Sequence, residues 1–560
     1  MGTLKGFAPP FGPPTCHPHP ARFARPRHTL PRWCAAGDEG ARKARGVGRV
    51  AGRPEVPEGG AGGLPTRLGL AHEHGSLRLA QPMASTPRDF QSADRLDTHR
   101  KALYINLDER RYGTFAEIGA GQEVARWFFR VGGAAGTIAK STSAYDMAVS
   151  DAIYGHAERY VSRERLQRML DYEHEKNLTR LNAARGDTTA FFVFADTVAA
   201  KSFRNDKDCH GWMGLKFQSR PRDQESQIVL HVRMLDGEAQ LQQEALGVVG
   251  VNLLYGAFFL HHEPELLVES LLDNLSTQRI EIDMIEFSGI EFRPVDNRLM
   301  SLKLVQLGLS QAAMFSANGE VLQPSEVLHK KPVLVERGTF RPVTKVNIDM
   351  LDCARATFAK ALGEPDGTIV ELAEITMRNL LTEEGEIDPR DFLARADVLA
   401  AAGKTVLISD YFEYYRLATY LRRCTPEAIA IVLGAGSLIP LLDEKYYASL
   451  GGGILEAFGQ LFQKNLTVYV YPWLDPSSKK VNTVSNLEVA TELRKLFGYL
   501  VERGSIVQLE NYNPQLLHIF TPEVLRRIKE GDASWEDMVP PEIAEVIQRR
   551  GFFDYRPGSS

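Results

Sequence analysis

Cysteine is scarce and irregular: five residues, at 16, 34, 209, 353 and 424, with no C-x-x-C pair. Two of them fall in the first 82 residues, which leaves an odd three beyond. Neither a disulfide framework nor a cysteine-held zinc ion fits that pattern. Reduced thiols do, and the chain reads as cytoplasmic. Long apolar runs are missing as well. The best, Leu246–Leu260, is interrupted by Asn252 and falls short of the roughly 20 residues a bilayer requires, so it reads as a buried helix and no membrane association is expected. Nor does one sign of charge dominate. The formal net charge is -5, with twelve basic against five acidic residues in 1–82 and 54 against 66 beyond. An acidic body has no general attraction for nucleic acid, and none is expected as a partner. Internal repeats are absent, and so are G-x-S-x-G and H-E-x-x-H, which excludes the nucleophile elbow and the common zinc-protease helix.

What is present is an α/β pattern. Residues 1–82 run through Pro-Pro, Arg-Pro-Arg and Gly-Gly-Ala-Gly-Gly without apolar periodicity. They are expected to be disordered and dispensable, either an organelle leader or an over-extended start ahead of Met83. Residues 83–362 read as a mixed α/β domain, α+β-like, with strands at Thr114–Ile118, Ala190–Phe194, Gly214–Phe217, Ile228–Met234, Ile280–Phe287 and Val333–Glu336. Helix Arg298–Ala313 is among those predicted between them. Gly363–Gly367 is the expected hinge. Residues 368–530 read as a Rossmann-like domain, a doubly wound parallel sheet with strands Thr405–Ser409, Ala428–Leu433, Leu466–Tyr471 and Ile506–Leu509 alternating with helices. Ser485-Asn486-Leu487-Glu488 has the form of a capping box that opens one of those helices. Residues 531–560 are left as a tail.

Three glycine-rich turns are candidate ligand sites. Gly119 and Gly121 follow the first strand as in a dinucleotide fingerprint, but Val124 stands where the third glycine belongs. Gly133 and Gly136, with Lys140, could form a backbone nest for an anion, although Ala139 breaks the P-loop pattern. Gly434, Gly436 and Ser437 follow a parallel strand, where Asp410 and Asp475 are expected to join them at the carboxyl edge of the sheet. Tight turns and close packing account for the same glycines. Metal ligation is weaker. His261-His262-Glu263, Asp171 with His174 and Glu175, and Glu281 with Asp283 each have a bland reading, since adjacent side chains on a helix end diverge and charged faces are usually solvated. No metal set and no catalytic residue is selected.

The stretch Tyr112–Gly155, YGTFAEIGAGQEVARWFFRVGGAAGTIAKSTSAYDMAVSDAIYG, resembles the N-terminal block of a bacterial protein family of unestablished function. The resemblance continues over most of the chain from about Met83. Members of that family carry two labels, TonB-dependent receptor and nicotinate-nucleotide adenylyltransferase. A receptor needs many alternating strands of about ten residues, and the sequence shows no such series. The second label implies a nucleotidyl-transfer α/β enzyme with an H/T-x-G-H motif after the first strand. Here Ile153-Tyr154-Gly155-His156 lacks the first His or Thr, and Leu275-Ser276-Thr277-Gln278-Arg279 sets its Arg one position early for the second motif of those enzymes. No catalytic residue transfers. The sequence therefore points to an α/β protein that binds a nucleotide or another phosphorylated small molecule, with Mg²⁺ as a conceivable companion and a homo-oligomer left open. The alternative is an assembly protein whose glycines serve packing.

Overall fold

The computed structural model describes residues 96–202, 209–363, 366–463 and 465–557. The expectations for residues 1–82 lie outside these. Two large sheets organise the described residues. The first contains β1 (Arg111–Ile118), β2 (Ile138–Thr142), β3 (Ala190–Ala199), β4 (His210–Gln218), β5 (Glu225–Met234) and β6 (Ile280–Gly289), in the order β2-β1-β3-β4-β5-β6. Strands β2 and β3 both run parallel to β1, whereas β4, β5 and β6 are antiparallel to their neighbours. Helices Thr98–Asn106, Glu123–Val131 and Ala239–Phe259 pack with Phe115, Phe192, Phe194 and Leu230 on one face. Helix Arg163–Arg185 covers the other through Leu166, Met169 and Leu170.

The second sheet contains β7 (Ala312–Phe315), β8 (Val321–Leu322), β9 (Val333–Arg337), β10 (Val370–Thr376), β11 (Thr405–Ser409), β12 (Ile429–Gly434) and β13 (Leu466–Tyr471). A hairpin of β14 (Trp473–Leu474) and β15 (Val481–Asn482) precedes the last strand, β16 (Ile506–Gln508). The order is β16-β13-β12-β9-β10-β11-β7-β8. The six strands β9 to β13 and β16 are mutually parallel, and their buried runs are apolar because helices cover both faces. Renumbered along the chain, those six read 6-5-4-1-2-3, the doubly wound dinucleotide-fold order. The fold is thus α/β, with a parallel doubly wound sheet in the C-terminal part and a mixed sheet before it. Among the described residues no helix is long and apolar enough to cross a membrane.

Several boundaries differ from those read in the sequence. Val333–Arg337 is the central strand of the second sheet, so membership changes near residue 310 rather than at Gly363–Gly367. Gly363 ends helix Lys345–Leu362, which connects β9 to β10 within one sheet. Helix Asn297–Gln306 stops before residues 312–315, which form β7 instead of a continuing helix. The capping box at Ser485 does not open a helix. Asn486 accepts from the Thr483 amide at 2.8 Å and donates to the Val481 carbonyl at 2.9 Å, so these side chains tie a turn, and the helix begins at Arg494. Residues past 530 are no tail: Trp535, Ile543 and Ile547 lie in a core with Phe392 and Val398.

Candidate functional site

In the first sheet the chain leaves β1 to one side for β2, then crosses back to form β3 on the other. In open α/β sheets such a reversal is where ligands bind, outside the carboxyl ends of the flanking strands, here β1 and β3. Glu117 and Asp196 stand there as register partners on the face that helix Glu123–Val131 covers, one strand spacing of about 4.8 Å apart. They are 2% and 3% exposed. Glu117 accepts the amides of Val124 at 3.0 Å and Ala125 at 2.9 Å, and Asp196 accepts the Ile118 amide at 3.2 Å. Burial pushes Glu117 up to about 7 against those two amide bonds. Burial, then the Glu117 charge, raises Asp196 well above the carboxylate range. Near neutral pH the pair therefore keeps a proton that exposed carboxyls would have lost.

The turn above the pair is Gly119-Ala120-Gly121. Gly119 has φ +104°, and a Cβ there would meet the Val198 carbonyl oxygen at 1.8 Å. Gly121, at φ +80°, has open space around it. The first amides of helix Glu123–Val131, which a phosphate would use in a dinucleotide fold, are already bonded to Glu117.

The other residues singled out in the sequence are dispersed. Gly133 and Gly136 lie in the turn before β2, at the opposite edge of the sheet from Gly121. Lys140 is on the far face, paired with Glu173, whose other oxygen accepts from Tyr154 at 2.9 Å. The carboxyl edge of the second sheet carries Asp410, Gly434, Gly436 and Ser437, but β9 and β10 separate Asp410 from Gly434, which sets them about 14 Å apart at the usual strand spacing. Gly436 does approach Trp473: a Cβ there would meet the indole at 3.1 Å. Asp475 is engaged in its own turn: the Ser477 and Ser478 hydroxyls hold it down at about 2.

The reversal in this sheet falls between β9 and β12; the sequence reading placed Gly434, Gly436 and Ser437 on its β12 side and nothing on its β9 side. Glu336, fully buried at the end of β9, accepts from Asn347 at 2.6 Å. Its second oxygen has no hydrogen-bond partner, and burial pushes the carboxyl up to about 8. Next to it Arg337 donates twice to Glu374, at 2.6 and 2.9 Å, and stacks on Tyr414. No local motif announces these residues, because their partners come from β10 and a later helix.

The metal candidates also rearrange. Glu281 is bonded by Ser310 and Arg233, and Asp283 by His231 at 2.5 Å and Gln323 at 3.2 Å, so their oxygens are filled with donors rather than turned to a cation. Asp171 is taken by Lys216 and Gln167. His261 and His262 converge after all, with rings 3.8 Å apart, because the helix has ended at Phe259. Their carboxylate neighbour is Glu291 in place of Glu263. Burial, followed by the adjacent His262, lowers His261 to about 4.

No protein-family model matches the chain, and no curated protein matches it. Similar solved structures include the competence/damage-inducible protein CihA from Agrobacterium tumefaciens, at 18% identity over 29% of this chain and 96% of that one, with a TM-score of 0.22. A competence-damaged (CinA) superfamily protein from Klebsiella pneumoniae gives 13% identity over 29% and 98%, with a TM-score of 0.22. A protein from Vibrio parahaemolyticus described as a nicotinate-nucleotide adenylyltransferase gives 11% over 41% and 98%, with a TM-score of 0.21. None of these likenesses bears on the chemistry of the site.

Proposed function

We propose that the protein binds a nucleoside or nucleotide at the β1/β3 crevice, with Glu117 and Asp196 receiving its hydroxyl or amino groups. The observation that carries this reading is the register pair of buried carboxyls under the Gly119–Gly121 turn. Packing explains Gly119, but it does not explain two adjacent acids kept out of water, which cost stability unless something uses them. The strand orders of both sheets support the nucleotide class, since nucleotides bind at the reversal points of such sheets. The occupied helix start argues that the sugar or base, rather than phosphate, meets this carboxyl pair. A partly protonated pair can also accept or deliver a proton, so acid–base chemistry is open to it.

The test is calorimetric titration of the full chain with a nucleoside, its monophosphate and a dinucleotide, with and without Mg²⁺. Saturable binding is expected. Glu117→Gln and Asp196→Asn should each weaken it by about tenfold or more, the worth of a charge-assisted hydrogen bond. Absence of binding by all three ligands, or affinities unchanged in both variants, overturns the reading.

A further inference from the structure

We propose that His261, His262 and Glu291 form a site for a late first-row divalent metal ion, at the edge of the first sheet remote from Glu117. One ligand atom from each lies within 4.8 Å of the others. The convergence has a backbone origin. Helix Ala239–Phe259 ends, a new helix starts at Pro264, and the two histidines occupy the turn between, outside helical geometry. Their rings lie side by side, 3.8 Å between centroids and 46° between planes. The Nδ1 of His261 is buried and makes no hydrogen bond of good geometry, although the ring meets the Ala257 backbone.

Glu291 arrives from the turn after β6 and is held on two sides. Its amide donates to Ser226 Oγ at 3.0 Å, and one carboxylate oxygen accepts from Ser219 Oγ at 2.5 Å. A serine hydroxyl that aims a carboxylate is the usual support behind a metal ligand. The opposing influence is the guanidinium of Arg111 nearby, which carries its own counter-charge in Asp108 at 3.5 Å and donates to the Gln218 and Ser219 carbonyls.

Two imidazoles and one carboxylate suit Zn²⁺, Co²⁺ or Ni²⁺ rather than Mg²⁺ or Ca²⁺, which take oxygen donors. Tetrahedral zinc with bonds of about 2.0–2.1 Å sets its ligands roughly 3.3 Å apart. The trio must therefore close by about an ångström or so. His262 is exposed and Glu291 half-buried, so both have room to move. Three protein ligands leave at least one position for water or a visiting group, as in exchangeable sites.

The experiment titrates the full chain with Co²⁺, followed by its visible absorption, then displaces it with Zn²⁺ and records the melting temperature with each ion. One equivalent of Co²⁺ with the intense bands of four- or five-coordination is expected, together with a higher melting temperature in Zn²⁺. His262→Ala and Glu291→Gln change groups that are not core packing, so both should fold. Each should weaken Zn²⁺ by about tenfold or more, while His518→Ala leaves it unchanged. Absence of a Co²⁺ band and of any thermal shift overturns the proposal. So does binding that survives both variants, which places the ion elsewhere.

Discussion

Glu117 and Asp196 make the pH dependence of stability a residue-level property. Both fold with raised affinities for protons, so the stability they confer is fully present below their unfolded values and is lost as pH rises through the folded ones. Glu117 moves from 4.5 to about 7, and that window places the loss between roughly pH 5 and 8, worth on the order of 3 kcal/mol at 1.36 kcal/mol per unit. Urea denaturation of Asp196→Asn should show a flatter profile across that range; an unchanged slope would mean the carboxyls are not coupled to folding. The glycines differ sharply in what they require. Gly119→Ala sets a methyl group against the Val198 carbonyl at positive φ and is expected to cost about 3 kcal/mol or more. Gly136→Ala, whose nearest neighbour is the Asn106 oxygen at 3.9 Å, should shift stability by less than about 0.5 kcal/mol. The sequence displays both as glycines in a cluster. The difference lies in β3, which is far along the chain and pressed against the first turn alone.

At the scale of elements, hydrophobic period and end signals were sufficient for most helices and strands, including Ala239–Phe259 and Arg163–Arg185. They failed where a side chain had a second use, as at Asn486, or where strands were short, as at β7. The apolar run around Asn252 shows what a single polar interruption is for. Lys101, from the first helix, donates to Asn252 at 2.8 Å and to Asp273 at 2.7 Å, and Asn252 in turn donates to the Leu271 and Asp273 carbonyls. This cluster docks Thr98–Asn106 onto the long helix. Lys101→Met removes the cation and leaves Asp273 buried beside an amide, at an expected cost of about 3–5 kcal/mol. Thermal melts of Lys101→Met and of the pair Lys101→Met/Asp273→Leu should show the double variant recovering part of that loss. Gly250 serves the neighbouring interface of the long helix with Glu123–Val131 by absence: a Cβ would meet Val124 Cγ2 at 2.3 Å.

Across the whole molecule, the doubly wound class was readable because four apolar strands alternate with helices, whereas the reversal points were not. Strand order depends on which neighbours pair, and β9 and β12, which flank the second reversal, are separated in the chain by β10, β11 and the helices around them. That is why no turn motif marks Glu336 and Arg337, and why chain order alone sets Asp410 beside Gly434. Other contacts join the two sheets. Helix Asn297–Gln306 sends Met300 and Leu304 into one core and Leu302 and Val305 into the other. Beside it the joint is polar: His210 meets His231 at 3.0 Å, His231 meets Asp283, and Gln323 reaches Asp283 from the second sheet's side. Burial pushes Asp283 up, but His231, Arg233 and Arg423 outweigh it and hold the carboxyl below its usual value. A depressed acid stabilises above its unfolded pKa and gives that stability up as pH falls through the folded one. Acid thus acts on the joint while it spares Glu117, Asp196 and Glu336, which are most comfortable protonated. The order of disassembly follows: on acidification the halves should part before either unravels. Tryptophan fluorescence, with Trp212 edge-on to His231 at 4.8 Å, should change at a higher pH than the far-ultraviolet helix signal, and Asp283→Asn should erase the gap between the two.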